Sequence, residues 1–420
     1  MMDVISFIGS FIPFIVVISI VITVHELGHY WVGRMFNAAA ESFAVGFGKP
    51  IVEVRDKRGT RWRINWLPLG GFVKFVGEIQ APTDTRAAAD PNKQDGDLVE
   101  AVVSAGGAPV VTKEHAKAEP AHEVHLVGKA YPELGPLKRM AISLGGPFAN
   151  FIFAIVVFAG IGLFFGIPEA KEVAINSVVP GSIGEGAGFK SGDVIIEAGG
   201  RKVESSTDVL RATQLSAGEA VRFNVLRNGK NIILTATPRE EESYNKVLKV
   251  KEKVGKVGLE LAERDSGIRH LNPIEAVGYG FSATGDALGA TLNVMRRLVT
   301  GKDGLDKLSG PIGIATLTDN ITDLHLKQEG VPLLDRWTGL AVTLIQLVAL
   351  LSIGVGFFNL LPIPVLDGGA VVMCAAEAIS GREVPEKVQR VGLTIGLACL
   401  GLFALVISWQ DIAKQWTGMP

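Results

Sequence analysis

The sequence predicts a polytopic α-helical membrane protein with four transmembrane helices, a membrane-associated β-hairpin and one external α+β domain. Hydrophobic residue types make up 48% of the 420 residues, and four long stretches contain no charged side chain. A chain of this length exceeds one ordinary domain, and its apolar content is high for a wholly soluble protein. Between the second and third uncharged stretches, short apolar runs are separated by glycines, which indicates a small β-rich domain.

Each uncharged stretch approaches or exceeds the roughly 20 apolar residues that a helix needs to cross a bilayer. The first could instead be a cleaved signal peptide, but Asp3 precedes it where such peptides carry Lys or Arg, and no small-residue cleavage site precedes His25. We therefore expect four retained spans, at residues 4–24, 140–167, 337–366 and 391–409.

Basic residues near the span ends predict the orientation, because Lys and Arg favour the cytoplasmic side. The loops after the first span and between the third and fourth are therefore expected in the cytoplasm, and both termini and residues 168–336 outside. The residues that carry this prediction are Arg34, Lys49, Arg55, Lys57, Arg58, Arg61, Arg63, Arg382, Lys387 and Arg390.

Overall charge gives no indication of a nucleic acid partner, since 41 basic residues nearly balance 43 acidic ones. The two cysteines, Cys374 and Cys399, lie in or beside apolar segments. A disulfide framework or a cysteine-based zinc site is therefore disfavoured.

A β-hairpin is predicted after the first span. Residues 61–66 alternate polar and apolar side chains, and Gly70 and Gly71 separate them from residues 72–75. A plain surface hairpin is the alternative, but Trp62 and Trp66 near a span favour one that dips into the membrane interface. Residues 81–121 are rich in Ala, Asp, Lys and Pro without periodicity, and we interpret them as a mobile cytoplasmic insert.

The external segment contains strand-like runs at residues 173–179, 221–227 and 232–237 and a helix-like run at 206–215. With its Pro-Gly-Ser, Ala-Gly and Gly-Asp-Val-Ile turns at residues 180–182, 187–188 and 192–195, it resembles one bacterial PDZ domain. Residues 257–259 could form its ligand-binding loop or a plain closing strand. Residues 272–300 are expected to form an amphipathic helix against a protein or membrane surface.

A metal site is predicted at His25-Glu26-Leu27-Gly28-His29, at the end of the first apolar stretch. On a helix, His25 and His29 project from one face and can hold one metal, while Glu26 can polarise a bound water. An exposed polar face is the alternative. However, an unpaired charge at membrane depth costs on the order of 3 kcal/mol, and a bound metal would offset that cost.

Two histidines leave a catalytic zinc site one protein ligand short, and Asp367 is the candidate for the third. Asp367 follows a span with no other charge, within Asn359-Leu360-Leu361-Pro362-Ile363-Pro364-Val365-Leu366-Asp367-Gly368-Gly369. It could simply cap a helix. The two prolines interrupt the helix, however, and irregular backbone at membrane depth lines a cavity or is buried in protein.

Together these motifs resemble the bacterial site-2 proteases of the RseP type, which are intramembrane zinc metalloproteases. Further matching motifs are Gly46-Phe47-Gly48-Lys49-Pro50, Pro68-Leu69-Gly70-Gly71-Phe72-Val73-Lys74, Gly145-Gly146-Pro147-Phe148-Ala149-Asn150 and Leu308-Ser309-Gly310-Pro311-Ile312-Gly313. The best-known member has two PDZ domains, whereas this sequence shows one.

The resemblance implies that the protein lies in the bacterial inner membrane and cleaves single-span proteins, anti-sigma factors or remnant signal peptides, within their membrane segments. It implies a Zn²⁺ held by His25, His29 and Asp367, with Glu26 as the catalytic base. Asn359, Pro362 and Pro364 would accommodate substrate, and the hairpin would pair with the unwound substrate strand. The active site would face the cytoplasm and the PDZ domain the periplasm, where its ligand could be a trimmed substrate end.

Two alternatives of other classes are a catalytically inactive membrane scaffold that binds partners through the PDZ domain, and a transporter. The intact metal motif disfavours the first, and the absence of a repeated span pattern disfavours the second.

His122 and His125 are three residues apart in a polar segment and are interpreted as solvated, not as a second metal site. The predicted parts are 1–33 (first span with the His-Glu motif), 34–139 (hairpin and insert), 140–167 (second span), 168–262 (PDZ domain), 263–336 (amphipathic helical region), 337–379 (third span with Leu366-Asp367-Gly368) and 391–410 (fourth span).

Overall fold

A computed structural model describes residues 4–78, 110–112, 124–245, 250–305, 308–328 and 330–417. Apart from residues 110–112, the predicted insert at 81–121 lies outside the described residues. The helices are α1 Val4–Met35, α2 Pro136–Phe164, α3 Ile183–Gly186, α4 Ser206–Gln214, α5 Pro273–Val299, α6 Pro311–Leu326, α7 Leu333–Asn359, α8 Asp367–Ser380 and α9 Glu386–Thr417. The strands are β1 Ala40–Arg55, β2 Arg61–Phe75, β3 Val110–Thr112, β4 Val124–Leu126, β5 Ile167–Val178, β6 Val194–Ala198, β7 Arg201–Lys202, β8 Val221–Arg227, β9 Lys230–Ala236, β10 Arg239–Asn245, β11 Val250–Lys256 and β12 Leu259–Arg269.

Four of the described helices are long and apolar enough to cross a membrane, as the sequence predicts. Their candidate spans are Pro13–Met35, Pro136–Phe164, Leu333–Asn359 and Glu386–Ala413. All four differ from the predicted spans in their bounds, and two of the differences affect the candidate site. The first helix continues to Met35, so the His-Glu motif lies inside it, and the third ends at Asn359 because Pro362 and Pro364 cannot continue a helix.

The chain forms two compact units, and each is described by itself. The first comprises residues 1–155 and 344–407, and the second comprises residues 156–343 and 408–420.

The sheet of the first unit differs from the predicted hairpin. Residues 61–64 and 72–75 do not pair with each other, because Ser42 to Val45 lie between them and pair antiparallel with both. The outer half of β1 pairs with the other side of residues 61–65. Each long strand therefore bends back on itself, which Gly46 and Gly70 permit by adopting φ values of +83° and +95°.

The second unit contains an α+β domain built on a six-stranded antiparallel sheet of order β12-β5-β6-β8-β9, with β7 beside β6. The predicted strands and α4 are present. Ile175, Ile195, Phe223 and Val225 are at most 1% exposed and form its core. The β10–β11 hairpin was not predicted from the sequence.

The predicted helix at residues 272–300 is confirmed as α5. Asn272 Oδ1 accepts hydrogen bonds from the backbone N–H groups of Ile274 and Glu275, at 3.0 and 2.9 Å. The Glu275 carboxylate in turn accepts from Asn272 N at 3.1 Å. This reciprocal capping box, with Pro273 in the first turn, starts the helix at this position.

Asp193 is expected to stabilise the α+β domain through a buried ion pair. Its fully buried carboxylate accepts from Arg227 Nε and Nη2, at 2.6 and 2.7 Å, and from Lys190 N at 2.9 Å. Burial alone would raise the pKa of Asp193, but Arg227 holds it below its usual value. Because the folded-state pKa is depressed, the stabilisation is present above the unfolded pKa of about 3.9 and is lost as the pH falls through the folded value.

We expect Asp193→Ala to lower the free energy of unfolding of this domain by about 3–5 kcal/mol at neutral pH, because it leaves the partly buried guanidinium of Arg227 without its carboxylate partner. Urea-dependent proteolysis of the full chain measures this change. The matched control is Glu204→Ala, which removes an exposed pair with Lys202 and should cost at most about 1 kcal/mol. Equal losses in the two variants would contradict the prediction.

Candidate metal centre

Helix α1 places two histidine side chains together inside the first unit. His25 and His29 are separated by one helical turn, so their imidazoles project from the same face. They are only 7% and 8% exposed, and their Nε2 atoms lie 3.1 Å apart. Two ring nitrogens at this distance either share a proton or bind one cation.

Asp367 completes the group from α8. Its Oδ2 lies 3.0 Å from His25 Nε2, and its Oδ1 lies 3.4 Å from His29 Nε2. The alternative role as a helix cap is wrong, because the N-cap residue is Leu366 and no side chain caps this helix end. Within the described ranges, these three residues are the one group of three or more His, Cys, Asp or Glu side chains placed to hold a metal.

The donor set fits zinc. Tetrahedral zinc with ligands at about 2.0–2.1 Å requires donor atoms about 3.3 Å apart, and the observed separations run from 3.0 to 3.4 Å. Asp367 Oδ2 is buried and accepts no hydrogen bond within the described structure. A buried carboxylate oxygen without a donor is costly, and a cation between the three side chains would compensate it.

The outer ring nitrogens of both histidines are held by α2. His29 Nδ1 lies 2.8 Å from the carbonyl oxygen of Ile142, so this nitrogen carries the proton and Nε2 is free to bind a metal. His25 Nδ1 contacts the amide of Asn150 at 3.2 Å. Asn150 is fully buried and its Oδ1 has no described donor, so rotating the amide would let Oδ1 accept from His25 Nδ1.

Asn150 and Ile142 are site residues that the sequence alone does not indicate. Asn150 belongs to the Gly145-Gly146-Pro147-Phe148-Ala149-Asn150 motif, which resembles the family, but the resemblance assigns no role to Asn150. The Ile142 contact uses a backbone carbonyl, so side-chain chemistry gives no signal for it.

Glycines bring α1 and α2 close enough for these contacts. A Cβ at Gly28 would lie 2.2 Å from Gly145 O, and a Cβ at Gly145 would lie 2.7 Å from Gly28 O. A Cβ at Gly146 would lie 2.4 Å from His29 Nε2. The space beside the ligand atoms therefore depends on the absence of a side chain at Gly146.

Asp367 is positioned by the irregular segment that precedes α8. A Cβ at Gly368 would lie 2.3 Å from the carbonyl oxygens of Leu360 and Leu361, and one at Gly369 would lie 2.3 Å from that of Ile363. These contacts explain why two glycines follow Asp367.

A buried ion pair holds α8 near its C-terminal end. Arg139 at the start of α2 pairs with Glu377, which is 6% exposed and also accepts from Val384 N at 3.0 Å.

Glu26 is not part of the ligand group and instead faces the sheet. Its Oε2 accepts from Val73 N at 2.9 Å, and Glu78 Oε2 accepts from Phe75 N at 3.2 Å. Residues two apart in a strand present their amides to the same edge. Both amides therefore mark one edge of β2.

The remaining predicted residues lie outside the ligand group. Asn359 ends α7 and donates from Nδ2 to Val355 O at 3.0 Å. Pro362 and Pro364 lie in the irregular segment before α8, and their substrate role stays a prediction. His122 lies outside the described residues.

Comparisons with known proteins give consistent matches over nearly the whole length. The model of peptidase family M50 matches residues 13–403. The metalloprotease MmpA of Caulobacter vibrioides is 35% identical over 98% of this chain and 97% of its own length. A protein of Mesorhizobium japonicum that is named as a zinc metalloprotease is 32% identical, over 97% and 99% of the two chains. The regulator of sigma-W protease RasP of Bacillus subtilis is 30% identical, over the same two shares.

Proposed function

Because the chain belongs to peptidase family M50, we propose that it is an intramembrane zinc metalloprotease that cleaves the membrane segments of single-span proteins. The observation that carries this proposal is the group of His25, His29 and Asp367, buried between helices that are apolar enough to span a membrane. Metal-assisted hydrolysis at this site needs a base beside the metal position, and Glu26 supplies that base.

Zinc held by His25, His29 and Asp367 would supply a Lewis acid that lowers the pKa of water toward neutrality. Glu26 accepts the proton of the attacking water and returns it to the leaving nitrogen. Ile142 O and Asn150 hold the histidine rings, so that the Nε2 atoms remain directed at the metal position.

The edge of β2 is proposed to receive the substrate. A membrane helix satisfies its own backbone hydrogen bonds, so it must unwind before cleavage and find replacement partners. An extended segment that pairs with this edge would take over the amides of Val73 and Phe75. Pairing at Val73 would also release the Glu26 carboxylate for proton transfer. Asn359, Pro362 and Pro364 are proposed to accommodate the same segment.

We propose the cellular role by analogy with a relative. The name of the Bacillus relative, a regulator of sigma-W protease, supports an anti-sigma factor as substrate. We propose a multi-pass inner-membrane location with the metal centre toward the cytoplasm. The α+β domain is proposed as a periplasmic PDZ domain that admits substrates whose outer part has been trimmed, and remnant signal peptides are further candidate substrates.

Cleavage of a single-span reporter by the purified protein in lipid nanodiscs tests the proposal. We expect a cut inside the membrane segment, faster when that segment carries Gly or Pro residues that weaken its helix. A chelator should abolish cleavage, and added zinc should restore it. A cut only in the soluble parts of the reporter would overturn the intramembrane assignment. Absence of any cleavage by zinc-loaded protein would favour the inactive scaffold.

A further inference from the structure

A pocket of about 390 Å³ lies beside the C-terminal end of α1, away from the metal ligands. It is bounded by the last turns of that helix and by the turn that joins β1 to β2. Its lining contains three cationic side chains and one carboxylate, from the residues Tyr30, Trp31, Arg34, Asp56, Lys57 and Arg58.

The carboxylate of Asp56 is committed to the turn and to aromatic donors. Its Oδ1 accepts from the backbone N–H groups of Arg58 and Thr60, at 2.9 and 3.0 Å. Its Oδ2 accepts from Tyr30 Oη and Trp62 Nε1, at 3.1 and 3.3 Å. All four donors are neutral, so these hydrogen bonds do not use the cationic side chains of the pocket.

The three cations form no ion pair within the described residues, although the Asp56 carboxylate of the same pocket lies near enough to attract Arg34. Lys57 and Arg58 are exposed, and no described carboxylate forms an ion pair with them or with Arg34. Arg34 is held at the wall, because its Nη1 donates to Ala38 O and Val127 O at 3.0 and 3.2 Å. With three cations and one carboxylate, the pocket therefore presents a net positive charge that an anion would balance.

The apolar surroundings distinguish a lipid from a soluble anion. Trp31 and Met35 are 64% and 80% exposed, one helical turn apart at the end of the candidate span Pro13–Met35. Tryptophan side chains at span ends lie at the headgroup level of a membrane. A soluble phosphate would use the cations but would leave this apolar surface uncovered.

We propose that this pocket binds the phosphate headgroup of an anionic phospholipid. Lys57 and Arg58 donate to the phosphate oxygens, and the acyl chains lie along Trp31 and Met35. The ligand anchors the turn that joins β1 to β2 to the C-terminal end of α1, and this contact fixes the position of the turn. This inference does not depend on proteolytic activity.

Quenching of tryptophan fluorescence by brominated lipids tests the proposal on the full chain in detergent. Brominated phosphatidylglycerol should quench at lower concentration than brominated phosphatidylcholine, and Trp31→Phe should remove that difference. Lys57→Gln combined with Arg58→Gln should weaken the phosphatidylglycerol effect about tenfold or more, because each juxtamembrane cation attracts anionic lipid. The matched control is Lys49→Gln combined with Lys138→Gln, which removes two charges outside the pocket.

Two results would overturn the assignment. Equal weakening by the pocket pair and the control pair, or none by either, would mean that no specific site exists. Displacement of the lipid by inorganic phosphate at equal concentration would identify a soluble phosphate site instead. Unchanged zinc content and melting temperature in both double variants establish that they are folded.

Discussion

Glu26→Gln is expected to abolish cleavage while leaving zinc bound. The Gln carbonyl can still accept from Val73 N, which now donates to Glu26 Oε2 at 2.9 Å, so the local structure is retained. Gln cannot accept a proton from water, and general-base catalysis contributes about 10²–10⁴ in rate. Turnover of the single-span reporter should fall by that factor at unchanged metal content, measured by atomic absorption.

Asp367→Ala should lose both zinc and cleavage, because two histidines remain as ligands. Removal of a partner that merely orients a ligand costs about 10–100-fold in metal affinity, so loss of a ligand should cost more. Glu386→Gln is the matched control, since it removes an exposed acid from the first turn of another helix. Retention of zinc by Asp367→Ala, or loss of zinc by Glu26→Gln, would refute the assigned roles.

A large loss of zinc affinity is also expected from Gly146→Ala. The added methyl group would lie 2.4 Å from His29 Nε2 and 2.8 Å from His25 Cε1, well inside van der Waals contact. Both contacts are to the ends of side chains, so the imidazoles can turn away while the helices stay folded. The ligand geometry is then lost, and we expect zinc affinity to fall at least as far as after loss of an orienting partner, about 10–100-fold.

Gly160→Ala is the matched control for this substitution. Gly160 lies on the same helix, and a Cβ there would meet no atom within 4 Å. It should leave zinc binding unchanged and should slightly favour the helix. Competition with a zinc-binding dye measures both affinities, and circular dichroism checks that helix content is retained. Wild-type zinc affinity in Gly146→Ala would contradict the role assigned to this glycine.

The contrast between the spans and the sheet explains how far sequence reasoning reaches here. Apolar length and the one-turn spacing of His25 and His29 are local properties, so the four candidate spans and the histidine pair could be predicted. The strand pairing could not, because Ser42 to Val45, from before the β1–β2 turn, lie between residues 61–64 and 72–75. Alternation predicts that a segment is a strand but does not say which strand lies beside it.

The metal centre divides in the same way. The sequence by itself determined which side chains can bind a metal, since His25, His29 and Asp367 are chemically suited and stand out against apolar surroundings. The tertiary structure alone decided what holds them: the Ile142 carbonyl, the buried Asn150 and the space above Gly146. These three features lie where α1 packs against α2. Each is a contact between residues that are far apart in the chain, so it exists only once the two helices are packed.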